Sequence, residues 1–478
     1  MINILQKIIF RRINIIIFHL YFYSINCFIK IPFKYYPNKS NNNTNPKDII
    51  LSILDVTMYG LLEMGTPKQI IHIPIRLGSN TFFLPQRSTY YYNKNKDFIL
   101  YNETNSTTFS IVQKQDFYEG ENFEEALYVN DVFYFGKERV TLDFYLSVSY
   151  FFPQMGGLGL QLYPSNNLNT ATPSIDKTFL RKLKLKGLIN NYIWSICYNN
   201  KYSDKFGNTE GYILIGDYPH LSDDFLMEKD YNYSLNSIEA KIYNKIVETS
   251  FIMDNIYIYN GNENNIINEV DFGDETINIR LDYIFGGILA PEKFRIYLEN
   301  KIFNNNFCYK ETVDRISKNT FYYCQNNQNI IDKLKQSFPI IKFESKILNS
   351  SFIINIDDLM LIKDNYIFIL LIFDESSNND WTLGIPFLKK YQFSVNQDSK
   401  RISFYKKIPN IIKIKNEKNY FLVLIIVLLT ILLLAIIIIG IVIFNKNKRK
   451  KRKNELDDSY EYIINDDNIN DKKKNIDE

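Results

Sequence analysis

The stretch Tyr59-Gly-Leu-Leu-Glu-Met64-Gly65-Thr66-Pro67-Lys68-Gln69-Ile-Ile71-His72-Ile73-Pro-Ile75-Arg76-Leu77-Gly78-Ser79-Asn-Thr-Phe-Phe83-Leu84-Pro85 decides the fold. Apolar residues dominate up to Met64, Gly-Thr-Pro-Lys supplies turn chemistry, and Ile71, Ile73 and Ile75 alternate toward a tight Gly-Ser-Asn bend. This is the pattern of two strands joined by a turn, with a loop at the far end. Pro85 falls nine positions after Arg76, and the same interval returns between Asp282 and Pro291. There Ile277-Asn-Ile-Arg280-Leu281-Asp282-Tyr283-Ile284-Phe285-Gly286-Gly287-Ile-Leu-Ala-Pro291 again reads as strand and loop, which makes an internal repeat.

Further motifs follow in order. Phe117-Tyr118-Glu119-Gly120-Glu121 precedes the strand-like run Ala126 to Phe135. Gly156-Gly157-Leu158-Gly159-Leu160 leads to Tyr163-Pro164-Ser165, and Glu210-Gly211-Tyr-Ile-Leu-Ile-Gly216-Asp217 reads as a strand between glycines. Cys308 and Cys324 are followed by Phe338-Pro339-Ile340-Ile341-Lys342-Phe343, then Trp381-Thr-Leu-Gly384-Ile385-Pro386-Phe387-Leu388 and Arg401-Ile402-Ser403-Phe404. Taken together, Tyr59 to Phe404 resembles the pepsin-like aspartic peptidase family. In that family Gly-Thr-Pro-x-Gln leads to Asp-Thr-Gly-Ser, a flap hairpin carries Tyr-Gly-x-Gly-Ser, and Gly-Ile-Leu-Gly-Leu and Ile-Leu-Gly-Asp-x-Phe-Leu recur in the two halves.

The resemblance implies a mainly β, bilobal fold with a cleft between two pseudo-symmetric lobes, over residues 48–220 and 221–409. It places Arg76 at the first catalytic aspartate and Asp282 at the second. Tyr118 and Gly120 fall on the flap, although Phe117 could take the flap tyrosine's place and the segment also reads as an ordinary hairpin. A disulfide between Cys308 and Cys324 is implied in the second lobe. The family's mechanism uses two carboxylates sharing one proton around a water, and here an arginine faces an aspartate. The expected outcome is an Arg76–Asp282 ion pair. Leu77 and Tyr283 replace the threonines that brace the family's two loops, so the hydroxyl donors there are expected to be largely lost. Ile284 stands where the family's glycine permits a tight loop, and Ile385 and Asn396 stand where the family has Asp.

Composition narrows the function classes. The chain has 478 residues, is 46% hydrophobic and carries a net charge of +3, which suits buried cores and gives no field for nucleic acid. Three histidines, His19, His72 and His220, are too few and scattered for a metal cluster or a serine triad. No phosphate-binding glycine loop occurs, so no cofactor and no metal is expected. Cys27 and Cys197 have no obvious partner.

The two ends concern location. Lys7, Arg11 and Arg12 precede the apolar run Ile13–Ile25, so residues 1–27 read as a signal peptide or an uncleaved apolar N-terminus, and 28–47 as an Asn-, Pro- and Lys-rich linker. Phe421–Phe444 is uncharged and long enough for one transmembrane helix, and the cluster from Lys446 to Lys453 assigns its far side to the cytoplasm. Residues 445–478 read as a basic-then-acidic disordered tail, with Tyr460-Glu-Tyr-Ile463 either a sorting signal or a chance match. Asn102, Asn105, Asn232 and Asn349 are glycosylation candidates on the luminal or extracellular side.

This layout resembles the family's membrane-anchored, plasmepsin- and beta-secretase-like members. The expected protein is a single-pass type I membrane protein whose peptidase-like domain lacks the first catalytic Asp. Such a pseudopeptidase would bind a peptide or protein in its interlobe cleft. The alternative is an active aspartic endopeptidase of the secretory pathway or cell surface, and a purely structural role is a third reading.

Overall fold

The alternating segment Ile29-Lys-Ile-Pro-Phe-Lys-Tyr-Tyr-Pro37 opens the folded chain as a strand that buries Ile29, Ile31, Phe33 and Tyr35. The computed structural model describes residues 28–37, 45–80, 82–85, 99–119, 122–147, 157–162, 178–199, 209–221, 232–243, 246–259, 266–268, 277–301, 303, 308–314, 318–375, 380–408, 430 and 437–452. Within a 13-stranded sheet, Ile29–Pro37 lies antiparallel to both Glu210–Ile215 and Val56–Met64. The expectation of a linker over 28–47, with folding from about Asp48, is corrected. Asn and Lys set the composition there, but the residues before Asn38 bury every second side chain, which is what a strand does.

A helix, Pro46–Leu54, follows. The Asn45 side chain accepts from the Lys47 amide, and Pro46 takes the first helical position, where a missing N–H is no loss. Its Ile49, Ile50, Ile53 and Leu54 pack on Phe321, Phe368, Leu370 and Ile372 of the second half.

The hairpin forms as the sequence suggests: Val56–Met64 and Gln69–Arg76 are antiparallel, with Met64 opposite Gln69. Gln69–Arg76 then pairs in parallel with Gly157–Gly159, which runs antiparallel to Phe82–Pro85, which in turn lies parallel to Glu138–Ser147. The second half repeats the arrangement strand for strand. Ile277–Leu281 is parallel to Trp381–Leu383, that strand is antiparallel to Ile288–Pro291, and Ile288–Pro291 is parallel to Tyr366–Asp374. Registers agree as well, with Phe82 opposite Leu158 and Ile288 opposite Leu383. The nine-residue interval is thus the sequence trace of a repeated topology.

Six neighbouring strands join the halves, three from each: Ile29–Pro37, Glu210–Ile215 and Ile193–Tyr198, then Phe393–Asn396, Arg401–Ile408 and Asn232–Glu239. At their centre Ser195 lies opposite Ser394, and the Ser195 hydroxyl donates to that of Ser394 at 2.7 Å. One buried cluster contains Leu158 and Trp194 from the first half and Phe251 and Trp381 from the second. Each fully buried large apolar side chain stabilises by roughly 1.5–3 kcal/mol, so a core shared across the join holds the described residues up to Ile408 as one unit.

Cys308 and Cys324 form a disulfide, directly opposite each other in the hairpin of Cys308–Asp314 with Lys318–Gln325, Cα to Cα 4.1 Å. Cys197 is buried as a free thiol, while Cys27 lies outside the described residues.

Residues 409–478 form a separate unit, of which 430 and 437–452 are described and helical. Ile437, Ile438, Ile439, Val442, Ile443 and Phe444 are exposed there. Among the described residues no helix is long and apolar enough to cross a membrane, and the run 421–444 is described only in part. Residues 1–27 and 453–478, with the signal reading and the Tyr460 motif, lie outside the described residues.

Candidate functional site

Arg76 closes the strand Gln69–Arg76, and its carbonyl accepts from the amides of Leu160 and Ser79, both at 3.3 Å. Its side chain runs over Gly157. A Cβ on that glycine would meet Arg76 Cδ at 2.8 Å, Cγ at 2.9 Å and Nε at 3.0 Å. Gly157 pairs with Phe83 as Thr382 pairs with Leu289, so the second half carries a side chain where the first half leaves room for Arg76. The Arg76 charge reaches the phenols of Tyr59 and Tyr283. Burial pushes both upward, Tyr283 to about 12, and the guanidinium pulls both the other way.

Asp282 follows the strand Ile277–Leu281, and its amide donates to the Leu383 carbonyl at 3.1 Å. Its Oδ1 accepts from the Ile284 amide at 3.1 Å, and its Oδ2 faces Arg280 Nη2 at 3.7 Å. Burial pushes this carboxyl above its ordinary value, opposed by the Ile284 amide, the Arg280 charge and the Phe285 amide. The expected Arg76–Asp282 ion pair is corrected: among the described residues the cation paired with Asp282 is Arg280. Residues two apart on a strand point to the same face, which brings Arg280 to Asp282, while Arg76 is drawn over Gly157.

The expectation that the bracing hydroxyls are gone is also corrected. The Tyr283 hydroxyl donates to the Ile75 carbonyl and accepts from the Leu77 amide, each at 3.0 Å. A longer side chain thus spans from the second loop to the first. Behind it, the Tyr35 hydroxyl donates to the Tyr283 carbonyl at 2.7 Å and lies 3.1 Å from the Tyr198 hydroxyl. Nor does Ile284 crowd its loop: the residue is 40% exposed, and a Cβ at Gly78, its counterpart in the repeat, would meet nothing within 4 Å among the described residues.

The Asp282 loop is held on its other side by backbone. The Gly286 amide donates to Leu54 O at 3.1 Å, the Ile385 amide to Phe285 O at 2.9 Å, and Asp55 forms a bridge with Phe285. A Cβ on Gly286 would lie 1.9 Å from Ile53 O, and one on Gly384 2.2 Å from both Gly287 O and Phe285 O. Only glycine fits such approaches.

Chemically the site offers one partly buried carboxylate with a raised pKa, two guanidiniums and two phenols. A guanidinium stays protonated at every working pH, so it cannot act as a base toward water. Among the described residues no group of three or more His, Cys, Asp or Glu side chains could hold a metal ion.

Tyr118 lies in the hairpin of Ser110–Glu119 with Asn122–Phe135, opposite Phe123, and Gly120 lies outside the described residues. Asn105 and Asn349 are exposed, and Asn349 sits in a turn at φ 45. The Asn102 side chain accepts from Thr104 at 2.8 Å, and Asn232 begins a strand. Ile385 is buried at the start of the helix Ile385–Lys390, and Asn396 Nδ2 donates to the Tyr218 hydroxyl at 3.0 Å.

Sequence reading missed Arg280, Gly157 and Tyr35. Strand alternation could have placed Arg280 beside Asp282, and the glycine where the resembled motif has Ile could have pointed to Gly157. Nothing local marks Tyr35, which reaches the loop across 248 positions of sequence.

The family model for eukaryotic aspartyl proteases matches residues 57–275. The matched stretch contains Arg76 and ends before Asp282. No curated protein matches the chain.

Proposed function

We propose that this chain is a catalytically inactive relative of the aspartyl proteases that binds a peptide or protein between its halves without hydrolysing it. The observation that carries this reading is the occupant of position 76. Arg76 lies at the end of the strand whose counterpart in the repeat leads into Asp282, and its stem is accommodated by Gly157. Hydrolysis by an aspartic dyad needs one carboxylate as base toward water and a second as acid toward the carbonyl oxygen. An arginine supplies neither, and Asp282 is left with Arg280 as its charged partner. What survives is a two-loop platform with an acid, cations and phenols, suited to holding the amides and polar side chains of an extended peptide, and we take the hairpin Ser110–Glu119 with Asn122–Phe135 as the flap.

The proposal includes tethering by Phe421–Phe444, with the domain on the luminal or outer side and the cluster Lys446–Lys453 in the cytoplasm. A structural disulfide and exposed sequons at Asn105 and Asn349 suit an oxidising compartment. Protease added to sealed vesicles should then remove only the tail; loss of the peptidase-like domain would refute the topology. For the activity, the full chain in detergent is incubated with denatured protein from pH 4 to 7. No cleavage is expected, and reproducible cleavage blocked by pepstatin overturns the proposal in favour of an active endopeptidase.

A further inference from the structure

We infer that Tyr283 is the positioning residue that sets the spacing of the two site loops, with Tyr35 holding it from behind, whichever chemistry the cleft performs. The geometry is specific. Leu77 and Tyr283 are counterparts in the internal repeat, each directly following the residue at the centre of its loop, and they meet: the Leu77 amide donates to the Tyr283 hydroxyl at 3.0 Å. The same hydroxyl donates onward to Ile75 O at 3.0 Å. One oxygen thus uses its proton and a lone pair on main-chain groups two residues apart, on either side of Arg76. Such a two-point contact fixes distance and direction together, where a single bond would leave the loop free to pivot.

The main chain of Tyr283 is pinned in turn. Its carbonyl accepts from Tyr35 at 2.7 Å, and the Tyr198 hydroxyl approaches that of Tyr35 at 3.1 Å. Tyr35 and Tyr198 stand on strands of the six-stranded join, their rings stacked 6.4 Å apart. The chain of contacts therefore runs from the join, through Tyr35, to the Asp282 loop, and through the Tyr283 ring to the Arg76 loop. Tyr35 and Tyr198 are buried and Tyr283 is partly buried, so each hydroxyl left without a partner would cost more than a surface one. The N-terminal strand Ile29–Pro37 is by this account part of the site's support.

Amide hydrogen exchange on the full-length protein tests the inference, comparing wild type with Tyr283→Phe and Tyr35→Phe. Phenylalanine keeps the ring and its packing and removes only the hydroxyl. For Tyr283→Phe, exchange at the Leu77 amide is expected to quicken roughly tenfold, the equivalent of one lost hydrogen bond. The Leu281 amide, which donates to Thr249 O, should be unchanged. Tyr35→Phe should quicken Leu77 exchange by a smaller factor, because it loosens the carbonyl behind the ring and leaves the hydroxyl in place. Unchanged Leu77 exchange in Tyr283→Phe overturns the inference, since a residue that merely fills space would behave that way. Should Tyr283→Phe not fold, a crystal structure of the wild type decides: the Tyr283 hydroxyl within hydrogen-bonding distance of both Leu77 N and Ile75 O supports it, and contact with only one or neither overturns it.

Discussion

The two site loops share a topology and a nine-residue frame, yet they are held differently. The Asp282 loop is squeezed by backbone at Gly286 and Gly384, where an added Cβ would lie 1.9 Å and 2.2 Å from carbonyl oxygens. The Arg76 loop is open at Gly78, with nothing within 4 Å, and roomy at Gly157, where the nearest atoms belong to Arg76 itself. At Asn80, the counterpart of Gly286, the buried Nδ2 has no hydrogen-bond partner among the described residues. The loop with no spare volume keeps a short acid, and the loop with spare volume holds a long cation. Packing around each loop, rather than charge between them, explains why Arg76 and Asp282 coexist without pairing.

The largest effect should come from filling the tight loop. Gly286→Ala is expected to cost several kcal/mol, because its Cβ would strike the main chain at Ile53, which cannot yield without moving the helix Pro46–Leu54. Gly78→Ala should stay within about 0.5 kcal/mol. Denaturant melts of the two variants read the contrast directly, and equal losses would break it.

Breaking the hairpin disulfide ranks next. Cys308→Ala with Cys324→Ala should lose roughly 3 kcal/mol, since the bond closes a loop of sequence separation 16. The Leu77 amide bonds to Tyr283 and not to the disulfide hairpin, so Leu77 exchange should not change beyond that global loss.

The contrast also says what a sequence can disclose. The hairpin at Tyr59–Arg76, the repeat ending at Pro291 and the Cys308–Cys324 pair were legible because each is local or recurs at a fixed spacing. The strand Ile29–Pro37 was hidden by Asn- and Lys-rich composition just beyond it, though its own alternation was visible. The Tyr283 brace was not legible, since counting motif positions registers the loss of a threonine and not the reach of a phenol from the same position. Arg76 passing over Gly157 depends on two residues on different strands brought together by the parallel pairing.

A smaller effect tests that pair. Gly157→Ile should cost about 1–3 kcal/mol by displacing the Arg76 stem, and much of that cost should vanish when Arg76→Asp is introduced as well. Additive losses in this double-mutant cycle would mean that the two positions do not share space.

The smallest effect is a pH dependence. Burial raises the Asp282 carboxyl in the folded state, so its contribution to stability is fully present below its unfolded value and is lost as pH rises through the folded one. Asp282→Asn should therefore raise the melting temperature slightly at pH 7, on the order of 1–2 °C, and not at pH 3. His220 has the opposite sense. Its pKa is lowered by burial, against Asp217, so the stability it contributes is present above its unfolded value and is lost as pH falls through the folded one. A His220→Gln variant should flatten the melting curve on the acid side.

The central claim is that the two loops stand in register as a carboxylate pair would require, with Arg76 in place of one acid. The direct measurement is the titration of Asp282 by carbon NMR of aspartate-labelled protein, in wild type and in Arg76→Asp. In wild type Asp282 should titrate in a single step above the usual aspartate range. In Arg76→Asp the two carboxyls should titrate as a coupled pair, with their apparent values separated by more than one unit. An Asp282 titration unchanged by Arg76→Asp would show that the loops do not face each other, and would contradict the account.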